Sequence, residues 1–158
     1  MRLLTEQSGP DQTSARVIRR GAAGYGVLLI AHGNSRDMLT RDNKINVVRT
    51  VLELAAYPAA ALPAVTFDDR MELYFNGERI EILHPTPAHT AGDAAVIFRR
   101  ANVVHMGDNY VRYGFPFIDV LSGGSVQGMI AGLKQAIADL PADVKVIPGH
   151  GPLSTKAD

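Results

Sequence analysis

Hydrophobic positions along the chain fall into short, distinct periods. Val27 to Ala31 is a continuous apolar run, as expected of a strand covered on both faces. Asn34-Ser35 then offers a helix N-cap, and Arg36 to Arg41 reads as a short helix. From Asn43 to Tyr57, Ile45, Val48, Val51, Leu52 and Ala55 recur at helical spacing, which predicts a second helix ended by Pro58 and Pro63. Residues 64 to 84 carry a different period: Met71, Leu73 and Phe75 alternate with polar partners, and Ile80 and Ile82 alternate on the way back. Asn76-Gly77 between them supplies the positive φ values of a tight turn, so this stretch predicts a β-hairpin. Two more strands are expected at Ala94 to Phe98 and Asn102 to His105. Ser125 can cap a helix running to Leu140, with Val126, Met129, Ile130, Leu133 and Ile137 on one apolar face. Pro141 closes it, and Val144 to Ile147 is one more buried strand.

Residues 1 to 24 lack this patterning; they are polar and charged, and read as an arm with a short helical stretch at Thr13 to Arg20. Residues 25 to 158 then form one domain, for which a chain of 158 residues and 46% hydrophobic content supplies an adequate core. The 16 basic and 16 acidic residues cancel, which argues against a broad nucleic-acid or anionic-lipid surface. No apolar run approaches the ~20 residues of a membrane helix. The start of the chain lacks the apolar stretch and cleavage site of a secretory signal, so the compartment is open and cytoplasmic by default. With no cysteine, any metal must sit on histidine and carboxylate.

Three polar stretches each follow directly on a predicted strand: Pro87-Ala88-His89-Thr90-Ala91-Gly92-Asp93, His105-Met106-Gly107-Asp108-Asn109, and Ile147-Pro148-Gly149-His150-Gly151-Pro152. Glycine and proline set tight turns there, so an imidazole or carboxylate projects from a rigid strand end. In a layered α/β domain such ends collect along one edge of the sheet. Two imidazoles and a carboxylate meeting on that edge suit zinc, manganese or iron. Taken singly, each histidine also suits a hydrogen-bonding turn residue, and Asp108 a turn cap.

Together, His89-Thr90-x-Gly92-Asp93, His105-x-Gly107-Asp108 and Ile147-Pro148-Gly149-His150-Gly151-Pro152 resemble the later motifs of the metallo-β-lactamase fold superfamily. The resemblance runs from about Gly24 to Thr155, taking in Ile30-Ala31-His32-x-Asn34 and Gly123-Gly124-Ser125. It lies nearest to the subgroup that also resembles glyoxalase II and quinoprotein-associated metallohydrolases. It implies an α/β (α+β) fold: an αββα sandwich, incomplete here, with a β-hairpin, a mixed sheet and flanking helices. It also implies a metal-dependent hydrolase site, with zinc as the ion. His89 would ligate a first metal, Asp108 would bridge two metals as the catalytic carboxylate, and His150 would ligate the second. Asp93 would support the ligands, His32 would be structural, and His84 and His105 would have no ligand role.

The superfamily's first motif, His-x-His-x-Asp-His, is missing, since no histidine precedes His32. The chain is therefore expected to be a truncated version of the fold with an incomplete metal site holding one ion or none. Activity in a single chain is correspondingly doubtful, and the alternative is a non-catalytic, self-associating remnant of the fold. An unprotected sheet face predicts a homodimer or larger homo-oligomer, with His32 or His84 of a second copy as further donors at a composite site. Tyr110, Arg112, Tyr113 and Phe115, following Asp108, are candidates to line a cleft for a small-molecule substrate. β-Lactams, thioesters, lactones and phosphoesters are all compatible with such a fold.

Overall fold

The computed structural model describes residues 28–47 and 50–158. The expected N-terminal arm, with its helical stretch at Thr13 to Arg20, lies outside the described residues. Strand β1 (Ile30–His32) runs straight into helix α1 (Gly33–Leu39), followed by β2 (Asn43–Val47) and β3 (Thr50–Leu54). Then come β4 (Val65–Phe67), β5 (Arg70–Phe75), β6 (Glu78–Leu83), β7 (Ala95–Phe98) and β8 (Val103–His105). Helix α2 (Val126–Ala138), β9 (Lys145–Ile147) and β10 (Ser154–Thr155) complete the chain.

A six-stranded mixed sheet, in the order β10-β9-β8-β7-β6-β5, forms the centre. Its two faces follow from the period-2 alternation of each strand. Leu83, Ala95, Ile97, Val104 and Val146 point to one side, where Ala136 and Leu140 meet them and Leu133 and Ile137 pack alongside. Ile80, Ile82 and Val96 point to the other and meet Phe67, with Ile30, Met71 and Leu73 around them. The second face is thus covered by the parallel pair β1–β4, and α1 lies against both strands of that pair. Of the stretch 64 to 84 expected as a hairpin, β5 and β6 form it, with Arg70 opposite Leu83 and Phe75 opposite Glu78, whereas Val65–Phe67 pairs with β1 instead. Asn76 and Gly77 take φ values of 52° and 75°, as a two-residue turn with both central residues left-handed requires.

The helix expected over Asn43 to Tyr57 does not form; β2 and β3 pair as an antiparallel ribbon instead. Five of the seven residues from Ile45 to Val51 are β-branched, which crowds a helix but suits a pleated strand. Lys44 and Glu53 are cross-strand partners joined by an ion pair of 2.8 Å. The cap of α1 also differs from expectation: the Nδ1 of His32 accepts the Asn34 N–H at 3.2 Å, so the helix starts at Gly33. In α2 the Ser125 hydroxyl accepts the Gly128 N–H at 2.8 Å, as its position predicted. Two of the apolar positions expected on its inner face, Val126 and Ile130, instead point outward, 56% and 54% exposed. The packed stripe runs through Met129, Gly132, Leu133, Ala136 and Ile137, and leaves that pair on its solvent side.

Candidate metal centre

Residues between β6 and β7 place His89. Its ring is 4% exposed, and its Nδ1 donates to the Phe117 carbonyl at 2.8 Å, because a carbonyl can only accept. That bond places a proton on Nδ1, so that in the neutral imidazole Nε2 is the acceptor. The backbone on either side is pinned: Asp119 N–H donates to the His89 carbonyl at 2.9 Å, and Ala91 N–H to Ser122 at 2.8 Å. Asp93 holds the following turn, accepting from the Thr90 N–H at 3.0 Å and the Thr90 hydroxyl at 2.7 Å. Burial pushes the Asp93 carboxyl up, and the two Thr90 bonds oppose the shift. A side chain at position 124 would bring its Cβ within 2.2 Å of the His89 carbonyl oxygen, so Gly124 is required for this approach.

Asp108 sits in a single 3₁₀ turn, Gly107–Asn109, entered through a left-handed Gly107 with φ 57°. Its side chain is 7% exposed. The segment after β9 is laid directly over it, with Gly149 N–H donating to the carbonyls of Gly107 at 2.8 Å and Tyr110 at 2.9 Å. A Cβ on Gly149 would come within 2.1 Å of Asp108 Oδ1. His150 follows, its side chain 41% exposed, and Arg112 N–H donates to its carbonyl at 2.9 Å.

The three residues singled out in the sequence are brought together. His89 Nε2 lies 3.6 Å from Asp108 Oδ2, and His150 Nε2 lies 3.4 Å from Asp108 Oδ1. Both separations exceed an ordinary hydrogen bond. They match the spacing of two ligands bound to a common ion, since donors about 2.1 Å from a tetrahedral ion sit roughly 3.4 Å apart. Where His89 is neutral, its Nε2 and the carboxylate oxygen face each other as two acceptors, which a cation between them would relieve. Two imidazoles and a carboxylate are donors of the kind a divalent ion takes, and the two pairwise separations are compatible with one. Among the described residues, no group of three or more His, Asp or Glu side chains is placed so that it could hold a metal ion.

The other histidines take different places. His32 is buried, stacks on His84 with ring centroids 3.9 Å apart, and meets the edge of Phe67. Burial, and then the neighbouring His84, push the His32 imidazole below its ordinary value. That ring is thus enclosed within its own chain and not presented to a second copy. His84 Nδ1 bonds the Asp93 carbonyl at 2.7 Å, and His105 Nδ1 accepts the Gly107 N–H at 3.1 Å. Burial lowers the His105 imidazole against the pull of Asp108.

Of the expected cleft residues, Tyr113 sets its ring edge against His150, centroids 5.4 Å apart. Tyr110 instead packs against the α2-side core and joins its hydroxyl to Ser154 at 2.9 Å. Arg112 reaches away to the Leu153 carbonyl at 3.0 Å and to Asp158 at 3.6 Å. The sequence reading missed Phe117, which holds His89 by its carbonyl and packs edge-on against it at 5.6 Å. Its signal was the alternation of aromatics at Tyr113, Phe115 and Phe117.

With this geometry in view, the architecture can be set beside known proteins. The metallo-β-lactamase from Pontibacter korlensis matches with a TM-score of 0.68 at 15% identity, covering 97% of this chain and 62% of the other. The BLEG-1 B3 metallo-β-lactamase matches with a TM-score of 0.69 at 21% identity, covering 91% and 66%. This is the metallo-β-lactamase fold. The protein TTHA1623, solved in a di-iron-bound form, shares the metallo-β-lactamase fold with this chain at a TM-score of 0.65 and 21% identity, over 88% and 65%. In sequence, a probable metallo-hydrolase of Streptococcus pyogenes serotype M6 is 33% identical over 96 residues, 60% of this chain. The chain spans 40% of that curated relative's length and between 62% and 66% of these solved proteins. No family model matches the sequence.

Proposed function

We propose that this chain is a metal-dependent hydrolase of the metallo-β-lactamase kind, holding zinc through His89, Asp108 and His150. The observation that carries the reading is the buried Asp108 carboxylate, each of whose oxygens faces the Nε2 of a different histidine. The name of the streptococcal relative and the di-iron form of TTHA1623 add support. A bound zinc supplies a Lewis acid and a water of lowered pKa. The chain's own residues supply the rest: Phe117 fixes the tautomer of His89, Gly149 lets the backbone close over Asp108, and Tyr113 orients His150.

Calorimetric zinc titration tests this. Wild type should bind stoichiometrically, and His150→Ala and Asp108→Asn should each weaken binding by about 10-fold or more. A wild-type chain that takes up no zinc would favour the second reading, a non-catalytic protein that works by self-association. One observation supports that alternative: β5 is the outer strand of the central sheet and ends in Tyr74 and Phe75, 75% and 45% exposed. A homodimer through this edge should give a dimeric mass by light scattering, reverting to monomer in Phe75→Lys; a monomeric wild type removes it.

A further inference from the structure

A cleft of about 330 Å³ opens on the α2 side of the central sheet, apart from His89, Asp108 and His150, none of which lines it. Its position follows from the hairpin register. Arg70 stands opposite Leu83 across the β5–β6 ladder, and directly opposed residues share a face of the sheet. Leu83 packs with Ala136 on the α2 side, so the Arg70 side chain rises from that side too, and Gln135 of the helix lines the cleft with it. Leu83 and Pro85, both buried, give the cleft an apolar floor. The helix is seated directly on this segment: a Cβ at Gly132 would come within 2.8 Å of the Thr86 hydroxyl oxygen and 3.2 Å of Pro85 Cβ. The Thr86 hydroxyl donates to the Gly128 carbonyl at 2.7 Å, and His84, also a lining residue, is held through Nδ1 by the Asp93 carbonyl. The walls are thus set before anything binds.

The charges at the rim are uncommitted. Asp69 and Arg70 are exposed neighbours, yet neither side chain forms a hydrogen bond or ion pair among the described residues. Glu72 and Glu81, the carboxylates that feel the Arg70 charge, are bonded to Arg79 and Arg99 instead. An apolar floor below one cation and one anion suits a ligand with an apolar body, a carboxylate and an ammonium. A doubly charged phosphate is ill matched, because the Asp69 carboxylate stands beside the guanidinium that would receive it.

We propose that this cleft binds a small free amino acid with a compact aliphatic side chain: Arg70 takes its carboxylate, Asp69 its ammonium, and Leu83 and Pro85 its side chain. The volume lies at the lower end for small-molecule sites and suits a molecule of that size. The site uses none of the candidate metal ligands and is independent of the hydrolase reading.

Calorimetric titration of the full chain without added metal tests this with three probes: L-leucine, isocaproate, which lacks the ammonium, and isoamylamine, which lacks the carboxylate. L-Leucine should bind about 10-fold or more tightly than either. Arg70→Gln should reduce leucine to the level of the amine, and Asp69→Asn to the level of the carboxylate. Both positions are exposed, so both variants should keep the wild-type urea midpoint. Inorganic phosphate should not displace leucine. A wild type that binds leucine no better than the two truncated probes, or not at all at millimolar concentration, overturns the proposal. So does wild-type affinity retained in either variant, or displacement by phosphate, which would make the cleft a general anion site.

Discussion

Gly149 and Gly124 contribute no side chain, yet they decide how close the site's backbones come. At Gly149 the nearest neighbours of an added Cβ are Asp108 Oδ1 at 2.1 Å and Gly107 backbone atoms at 2.7 Å. Asp108 cannot swing aside without leaving both histidines, so the extra methyl has no cheap exit. Gly149→Ala should therefore cost about 2 kcal/mol or more of stability and weaken zinc uptake together with it. Urea unfolding beside calorimetry checks both; a variant as stable as wild type would mean that the 148–151 segment relaxes freely. The same logic explains why the carboxylate and the imidazoles were readable as candidates while their supports were not. A histidine announces its chemistry by identity, but a glycine that admits a neighbour is meaningful only once that neighbour is known.

Among the elements, α2 was the most legible. Its cap, its stop at Pro141 and most of its apolar stripe are local properties, written within one stretch of chain. Ser125→Ala removes the acceptor for the Gly128 N–H and should destabilise the protein by about 1 kcal/mol, measured as a shift in the urea midpoint at unchanged slope. The β2–β3 ribbon was the least legible, because Ile45, Val48, Val51, Leu52 and Ala55 satisfy a helical period by chance. Cross-strand pairing of Lys44 with Glu53 and Ile45 with Leu52 supplied the competing arrangement, and β-branching tipped the balance. α1 fell between these cases: the helix was foreseen, but its cap is a histidine, while Asn34 and Ser35 were taken for other work. Their side chains donate to the carbonyls of Ala91 and Gly92, both at 2.8 Å, and tie α1 to the His89 loop.

At the scale of the molecule, a chain with balanced charge still concentrates it. Glu72 and Glu81 are cross-strand partners, an unfavourable pairing on its own, and Arg79 bridges them at 2.5 Å and 2.8 Å while Arg99 bonds Glu81 from the next strand's end. The Arg99 guanidinium above all, assisted by Arg79 and Arg70 against the cost of burial, holds the Glu81 carboxyl below the usual glutamate value. A carboxyl depressed on folding stabilises the protein fully above its unfolded pKa, and that contribution is lost as pH falls through the lower folded value. Stability should consequently decline on acidification below the ordinary glutamate range. Glu81→Gln should flatten this acid limb in urea midpoints taken from pH 7 down to about pH 3; an unchanged limb would place the acid sensitivity elsewhere. Among the described residues, no helix is long and apolar enough to cross a membrane.

By itself, the order of residues determined the hairpin, the α2 cap, the alternating strands and the short list of groups able to bind a cation. These depend on neighbours a few positions apart, or on functional-group identity alone. Only the tertiary structure decided that β2 and β3 pair, that Tyr110 and Arg112 turn away while Phe117 takes hold of His89, and that one carboxylate faces two imidazoles. Those outcomes depend on contacts between segments tens of residues apart, where packing space and hydrogen-bond geometry, not local period, select which side chain points where.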